Sequence, residues 1–181
     1  MTSYMNYTGL RKGDSDYEGY ISKGDLNNNG LIDAYDISAV AVELDGGING
    51  ESVPQVDGTL TVVPSKVSHN AGDVVELTVK GKGLRSVNAL SMAIPYDAQR
   101  YEYVGVEVKE PLAGMKELTY DRLHKNGQKA LYPTFVNLGE KPAAEGDVDL
   151  MVIRFKAKAK GKTDLKAIDI MLVDKDLNVK N

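Results

Sequence analysis

Val74-Val75-Glu76-Leu77-Thr78-Val79-Lys80 alternates between apolar and polar side chains. Val75, Leu77 and Val79 fall on one face, and Glu76, Thr78 and Lys80 on the other. Period two is the geometry of a strand with one face on a core and the other toward water. The pattern recurs outward from here. Val104, Val106 and Val108 share a face in 102–108, and Met151, Ile153, Phe155 and Ala157 share one in 151–157. Ile168, Ile170 and Leu172 do so in 167–173, and further apolar runs stand at 59–63, 87–94, 130–138 and 177–180. Turn residues punctuate them at Asn70-Ala71-Gly72-Asp73, Lys80-Gly81-Lys82-Gly83, Asn126-Gly127 and Lys160-Gly161. Eight or nine short strands with no long helical period between them describe a mainly β fold, a β-sandwich or jelly roll. Residues 112–124 fit a helical turn or a strand equally well.

The first fifty residues have a different grammar. Residues 14–36 read DSDYEGYISKGDLNNNGLIDAYD, and an offset of eleven superimposes Asp14, Asp25 and Asp36, Gly19 and Gly30, and Ile21 and Ile32. Calcium takes six to eight hard oxygen ligands, and an EF-hand loop supplies them from positions 1, 3, 5, 7, 9 and 12, with glycine at the sharp turn at position 6. Counted from Asp25, the ligands are Asp25, Asn27, Asn29, the Leu31 carbonyl, Asp33 and Asp36, with Gly30 at the turn and Ile32 as the apolar anchor. Counted from Asp14, they are Asp14, Asp16, Glu18, the Tyr20 carbonyl, Ser22 through water, and Asp25. Asp25 serves both loops, so the segment is expected to hold one or two Ca2+ ions. Without metal its six carboxylates repel one another, and ordering is expected to follow metal binding. A short helix comes next: Ile37, Val40, Ala41 and Leu44 recur at helical spacing, Asp36 and Ser38 suit its start, and Gly46-Gly47 stops it.

Composition agrees with this division. The 181 residues carry a net charge of −4. Eight acids against three bases lie in residues 1–50, and the remainder is close to balance. The acidity is local, as a cation site requires, and no basic stripe suits nucleic acid. Cysteine is absent, which excludes disulfides, thiolate catalysis and the usual zinc sites. No apolar run reaches the length that spans a membrane. Gly, Asn, Ser and Pro crowd residues 45–58, so the chain divides into 1–45, a linker 46–57 with the boundary near residue 52, and 58–181.

No catalytic constellation stands out, so the chain reads as non-catalytic. His69 and His124 each stand near polar turns and read as surface residues, and Ser65 and Ser68 lie too close to His69 in sequence to form a triad. Glu140 and Glu145, and Asp147 and Asp149, read as solvated charge rather than a glycosidase pair. Residues 174–178 open like a calcium loop, but Val179 stands where glycine is required, so they read as strand–turn–strand. Tyr101 and Tyr103, with Tyr96 nearby, offer a platform for sugar rings or packing at a rim, and the lack of tryptophan favours packing.

Residues 24–44, GDLNNNGLIDAYDISAVAVEL, resemble a type I dockerin repeat, the calcium-binding plug of secreted bacterial polysaccharide-degrading enzymes. The segment departs from a dockerin in that its two loops overlap at Asp25 and one helix follows, closer to the tandem loops of thrombospondin type 3 repeats. In dockerins, loop positions 10 and 11 help to read the partner, which implies Ala34 and Tyr35 here. Residues 58–180 resemble cohesins, the nine-stranded jelly rolls that dockerins bind. The resemblance rests on Asn70-Ala-Gly-Asp-Val-Val-Glu-Leu-Thr-Val, on Leu90-Ser-Met-Ala-Ile-Pro-Tyr-Asp97 followed by Tyr103-Val-Gly-Val, and on Gly146 to Lys158 before Asp169-Ile-Met-Leu-Val-Asp. The order is similar to C-terminal appendages of large secreted glycoside hydrolases. It implies a calcium-stabilised, non-catalytic module pair that attaches or spaces parts of a parent glycoside hydrolase through a cohesin- or dockerin-type partner in cis or in trans. The implied location is secreted, periplasmic or at a bacterial cell surface. The alternative is a carbohydrate-binding module that targets the enzyme to its glycan.

Overall fold

The computed structural model describes residues 2–19, 21–48 and 55–181. Two antiparallel layers enclose the core. The first runs β1 (Asp57–Pro64), β3 (Val74–Val87), β10 (Ala144–Ala157) and β5 (Tyr101–Val108). The second runs β13 (Val179–Lys180), β12 (Ile168–Val173) and β4 (Ala89–Tyr96). The free edge of β4 is then shared. Its first half pairs with β9 (Thr134–Val136), which carries β6 (Lys116–Glu117), and its second half pairs with β8 (Lys129–Tyr132), which carries β7 (Tyr120–Leu123). β8 and β9 are one strand interrupted at Pro133, which has no N–H to give the ladder; its carbonyl still accepts from Met92 N at 3.2 Å. A small ribbon of β2 (Ser68–His69) and β11 (Gly161–Lys162) closes one end.

The alternation that predicts the fold is the one that fills it. Val75, Leu77 and Val79 are fully buried and meet Leu90, Ile94, Leu131, Phe135, Ile153 and Phe155 in one continuous core. Tyr96 packs edge-on to Phe155 with ring centroids 5.0 Å apart. The strands expected at 59–63, 87–94, 102–108, 151–157 and 167–173 are all present, and 130–138 is the interrupted pair β8–β9. Residues 174–178 turn between β12 and β13, as read from the sequence. The ambiguous stretch 112–124 resolves into the end of a 3-10 turn (Glu110–Leu112) followed by β6 and β7.

Lys80–Gly83 is a correction. It reads as a turn, but β3 runs through it for 14 residues and pairs with β1 and β10 on either side. The glycines serve a bulge instead. The pairing with β10 slips between Gly146 and Val148, and Gly83 takes φ +58. Leu84 then folds over Gly58, where a Cβ would lie 2.7 Å from Leu84 Cδ2 and 2.8 Å from its Cα.

The N-terminal segment contains α1 (Thr2–Met5), a 3-10 turn (Ile21–Gly24) and α2 (Ala34–Leu44). Asp33 caps α2: its carboxylate accepts from Tyr35 N at 2.8 Å, while the Asp36 carboxylate accepts from Asp33 N at 2.9 Å. This reciprocal box starts the helix three residues earlier than Asp36 alone suggests. The buried face shifts accordingly, to Ala34, Ile37, Ser38 and Ala41, and Leu44 stays 64% exposed. The boundary expected near residue 52 falls within 49–54, outside the described residues.

Candidate functional site

The N-terminal segment lies on the outer face of the second layer. β4 shows why the sequence permits this. Its large residues Leu90, Met92 and Ile94 point into the core, whereas Ala89, Ser91 and Ala93 alternate with them on the outside. All six are buried, so both faces of the strand are covered. The small outer residues let the segment approach closely. Ala89 joins Met5, Ala34, Ile37, Leu118, Val136, Met171 and Val173 in a sealed apolar cluster. Ala34 N donates to Ser91 Oγ at 3.3 Å, and Leu31 packs on Ala93, Ala130 and Tyr132. Gly9, at φ +87, lies flat on Tyr132, where a Cβ would come within 2.6 Å of the ring.

Polar contacts flank the apolar seal. Thr8 Oγ1 donates to Leu118 O at 3.0 Å, and Arg122 donates to Thr8 O at 3.1 Å and Asn6 O at 2.6 Å. Asp14 makes a second buried junction. Its carboxylate accepts from His124 Nδ1 at 2.6 Å, Arg11 N at 3.0 Å and Lys125 N at 3.1 Å, and His124 Nε2 meets Tyr132 OH at 2.7 Å. Burial pushes the Asp14 carboxyl up, but the donors of Arg11, His124 and Lys125 outweigh it and hold it below the ordinary carboxylate value. The expectation of a surface His124 is therefore corrected: a partner 110 residues away buries it.

Side chains of the 25–36 loop hydrogen-bond within it. Asp25 accepts from Asn29 N at 3.1 Å, Gly30 N at 2.9 Å and Tyr17 OH at 2.5 Å. Asn27 Oδ1 accepts from Asn29 N at 3.2 Å, and Asn29 Oδ1 accepts from Leu31 N at 3.0 Å. Asp36 turns its second oxygen to Leu26 N at 2.7 Å. Ile32, the anchor position, exchanges backbone hydrogen bonds with the 9–10 stretch, donating to Leu10 O at 3.1 Å and accepting from Gly9 N at 2.8 Å. Asp25, Asp33 and Asp36 are all buried. Burial, then the neighbouring Asp33 charge, pushes the Asp36 carboxyl up to about 8, and burial likewise raises Asp33. The donor types and their order suit a hard cation, and among the described residues the three carboxylates withdrawn from water form no ion pair. They do not converge: among the described residues no three acidic or histidine side chains form a ready-made metal group, and Asp33 Oδ2 takes Asn29 Nδ2 at 2.7 Å.

The 14–25 loop is not brought together. Asp14 turns to the sandwich, Asp16 and Glu18 are exposed, Ser22 Oγ donates to Gly19 O at 2.7 Å, and Tyr20 lies outside the described residues. Ala34 and Tyr35 also differ from expectation. Ala34 is buried and Tyr35 half-buried, both packed in the cluster that α2 forms with this chain's own sheet.

The remaining candidates are structural. His69 is buried, contrary to the surface reading, with Nε2 2.9 Å from Tyr101 OH. Tyr101 is only 1% exposed and Tyr103 leans on Phe155 at 5.8 Å, so this pair offers no open sugar platform. Glu145, Asp147 and Asp149 are exposed and hold Ser86 N, Gly83 N and Lys80 respectively. The small–large alternation of Ala89–Ile94 carries a signal for a doubly covered strand, which the sequence reading passed over. No local signal marks Asp14–His124.

Comparison with known proteins agrees with the sandwich. A family model described as the cohesin domain matches residues 60–181, which is the sandwich and most of the chain. No curated protein matches. Among solved structures, a non-cellulosomal cohesin from the archaeon Archaeoglobus fulgidus superposes with TM-score 0.50 at 15% identity, over 67% of this chain and 83% of that one. A type I cohesin–dockerin complex from Clostridium thermocellum gives 0.50 at 17%, over 71% and 90%. A type II cohesin–X-dockerin complex from Acetivibrio cellulolyticus gives 0.51 at 16%, over 68% and 91%. At these identities the likeness speaks for the fold, and the family match speaks for the lineage: the chain belongs to the cohesin family of non-catalytic protein–protein docking modules.

Proposed function

We propose that this chain is an attachment module whose docking sheet is occupied in cis by its own dockerin-like segment. It would serve within a secreted or cell-surface bacterial polysaccharide-degrading enzyme, with catalysis in the parent glycoside hydrolase. The observation that carries the reading is the sealed cluster in which Ala34 and Ile37 of α2 meet Ala89, Val136, Met171 and Val173 of the sandwich. Solved relatives of similar fold include cohesins bound to dockerins, which supports a dockerin-type occupant for a cohesin-type sheet. Here the occupant is joined by a short linker, which gives it a high effective concentration.

Ca2+ fits this reading as a structural ion in the 25–36 loop. Asp25, Asn27, Asn29, Asp33 and Asp36 with the Leu31 carbonyl would hold one ion, and its charge would offset the three buried carboxylates. With Asp14 engaged by His124, the 14–25 loop has lost its first ligand, so one ion is expected rather than two. Sedimentation with calcium and with a chelator tests the arrangement. The expected result is a compact monomer in calcium at all concentrations. Chains or dimers that grow with concentration in calcium refute cis occupancy and favour trans attachment.

A further inference from the structure

The 14–25 half of the repeat does not gather its own loop, and it is fastened to the 25–36 half instead. Asp14 is held by His124 of the sandwich, and Asp16 and Glu18 stay exposed. Tyr17, which stands between those two in sequence, is buried. It shares an apolar cluster with Leu10, Ile21 and Ile32, and its hydroxyl donates to Asp25 Oδ2 at 2.5 Å. Ile32 is the anchor position of the 25–36 loop, and Asp25 is its first ligand position. The preceding stretch therefore holds that loop at two separate points. Two further contacts fix the same relation. Arg11 and Leu31 form a β-bridge, and Gly24 lies so close to Tyr4 that a Cβ would come within 2.5 Å of its ring.

The lone pairs of Asp25 show what the hydroxyl adds. Each oxygen of a carboxylate can accept about two hydrogen bonds. Oδ2 takes Gly30 N at 2.9 Å and Tyr17 OH, so it is full. Oδ1 takes Asn29 N at 3.1 Å and keeps one lone pair for a cation. Asn29 N and Gly30 N belong to the loop itself, whereas the Tyr17 hydroxyl arrives from outside it. Asp25 is 5% exposed, so little water is at hand to replace that donor. Packing accounts for the ring of Tyr17 but not for its hydroxyl, because a phenyl ring would fill the same apolar space. A group that holds a metal ligand from outside the coordination shell sets its orientation, and its loss typically weakens metal binding about 10–100-fold.

We propose that Tyr17 is a positioning residue for Ca2+ in the 25–36 loop, acting through Asp25, and that the 14–25 stretch is the brace that carries it. The inference rests on the calcium reading given above.

Calorimetric calcium titration of the full chain tests it in wild type, in Tyr17→Phe and in Tyr7→Phe, a second tyrosine packed on the same cluster. Tyr17→Phe should raise Kd about tenfold or more while still binding one ion, and Tyr7→Phe should leave Kd unchanged. Near-ultraviolet absorbance gives a readout that packing alone does not move, and the chain has no tryptophan to mask it. An ion on Asp25 draws charge from the acceptor of the Tyr17 hydroxyl. Saturating calcium should therefore perturb the tyrosine bands of wild type, and Tyr17→Phe should lose most of that change. Equal or tighter binding by Tyr17→Phe overturns the proposal. So does a wild-type spectrum that calcium leaves unaltered, a result that needs no variant to fold. Two ions per wild-type chain would make 14–25 a metal loop in its own right and overturn the brace as well. A wild type that takes up no calcium brings down the calcium reading itself; a wild type that binds one ion, with Tyr17→Phe its equal, brings down the brace alone.

Discussion

Ile37→Ala tests whether α2 is fastened to the sandwich by the cluster described above. Ile37 is 1% exposed and its neighbours Val136 and Val173 are held in strands, so they cannot collapse to refill the space. The change removes three carbons, worth about 2.4 kcal/mol at about 0.8 kcal/mol each. The residual cavity raises the cost to about 3–4 kcal/mol. Leu44→Ala is the control: the sequence pattern puts Leu44 on the same face, the structure leaves it exposed, and its truncation should stay within about 0.5 kcal/mol. Native-state hydrogen exchange reads the difference. Amides of α2 should exchange a few hundredfold faster in Ile37→Ala, at about 1.4 kcal/mol per factor of ten, and hardly faster in Leu44→Ala. Equal changes in the two variants refute the docked face and return the helix to the register that the sequence pattern suggests.

Two further outcomes are expected. Calorimetric titration should give one calcium per chain, abolished by Asp25→Ala, which strips the acceptor of Asn29 N and Gly30 N, and kept in Asp16→Asn; a stoichiometry of two, or none, refutes the single-loop reading. Without calcium, the segment should weaken as pH rises. Asp36 is raised to about 8 from 3.8 and Asp33 is raised as well, so the stability they contribute is full below 3.8 and lost as pH climbs through about 8. Helical circular dichroism in chelator should fall between about pH 4 and about pH 8 and hold steady in calcium; a flat profile in chelator refutes the buried pair as its cause.

What could be read from the sequence follows the range of the forces involved. Period-two alternation is local, so the sandwich was visible in Val75–Val79 and Met151–Ala157. Ribbons of two residues, such as β2 with β11, are defined by their pairing and leave no compositional trace. Gly81 and Gly83 carry the same letters in a turn and in a bulge, and only the partners of β3 decide between them. The two histidines read as surface residues because their neighbours in sequence are polar, whereas Asp14 and Tyr101 reach them from far along the chain. The same holds for Ala34 and Tyr35. Their loop positions could be counted, but their packing on a sheet of the same molecule could not.

The seal between α2 and the sandwich also imposes an order of events during synthesis. Ile37 leaves the ribosome before Val136 and Val173, against which it rests, and these follow only after most of the sandwich has been made. At about 5–20 residues per second, the helix waits on the order of ten seconds with its apolar stripe uncovered. An eleven-residue helix is too short to hold itself together in water for that time. The nascent segment is therefore exposed to chaperones and proteases until β12 is in place, and a loop able to gather itself around an ion at once would shorten that interval.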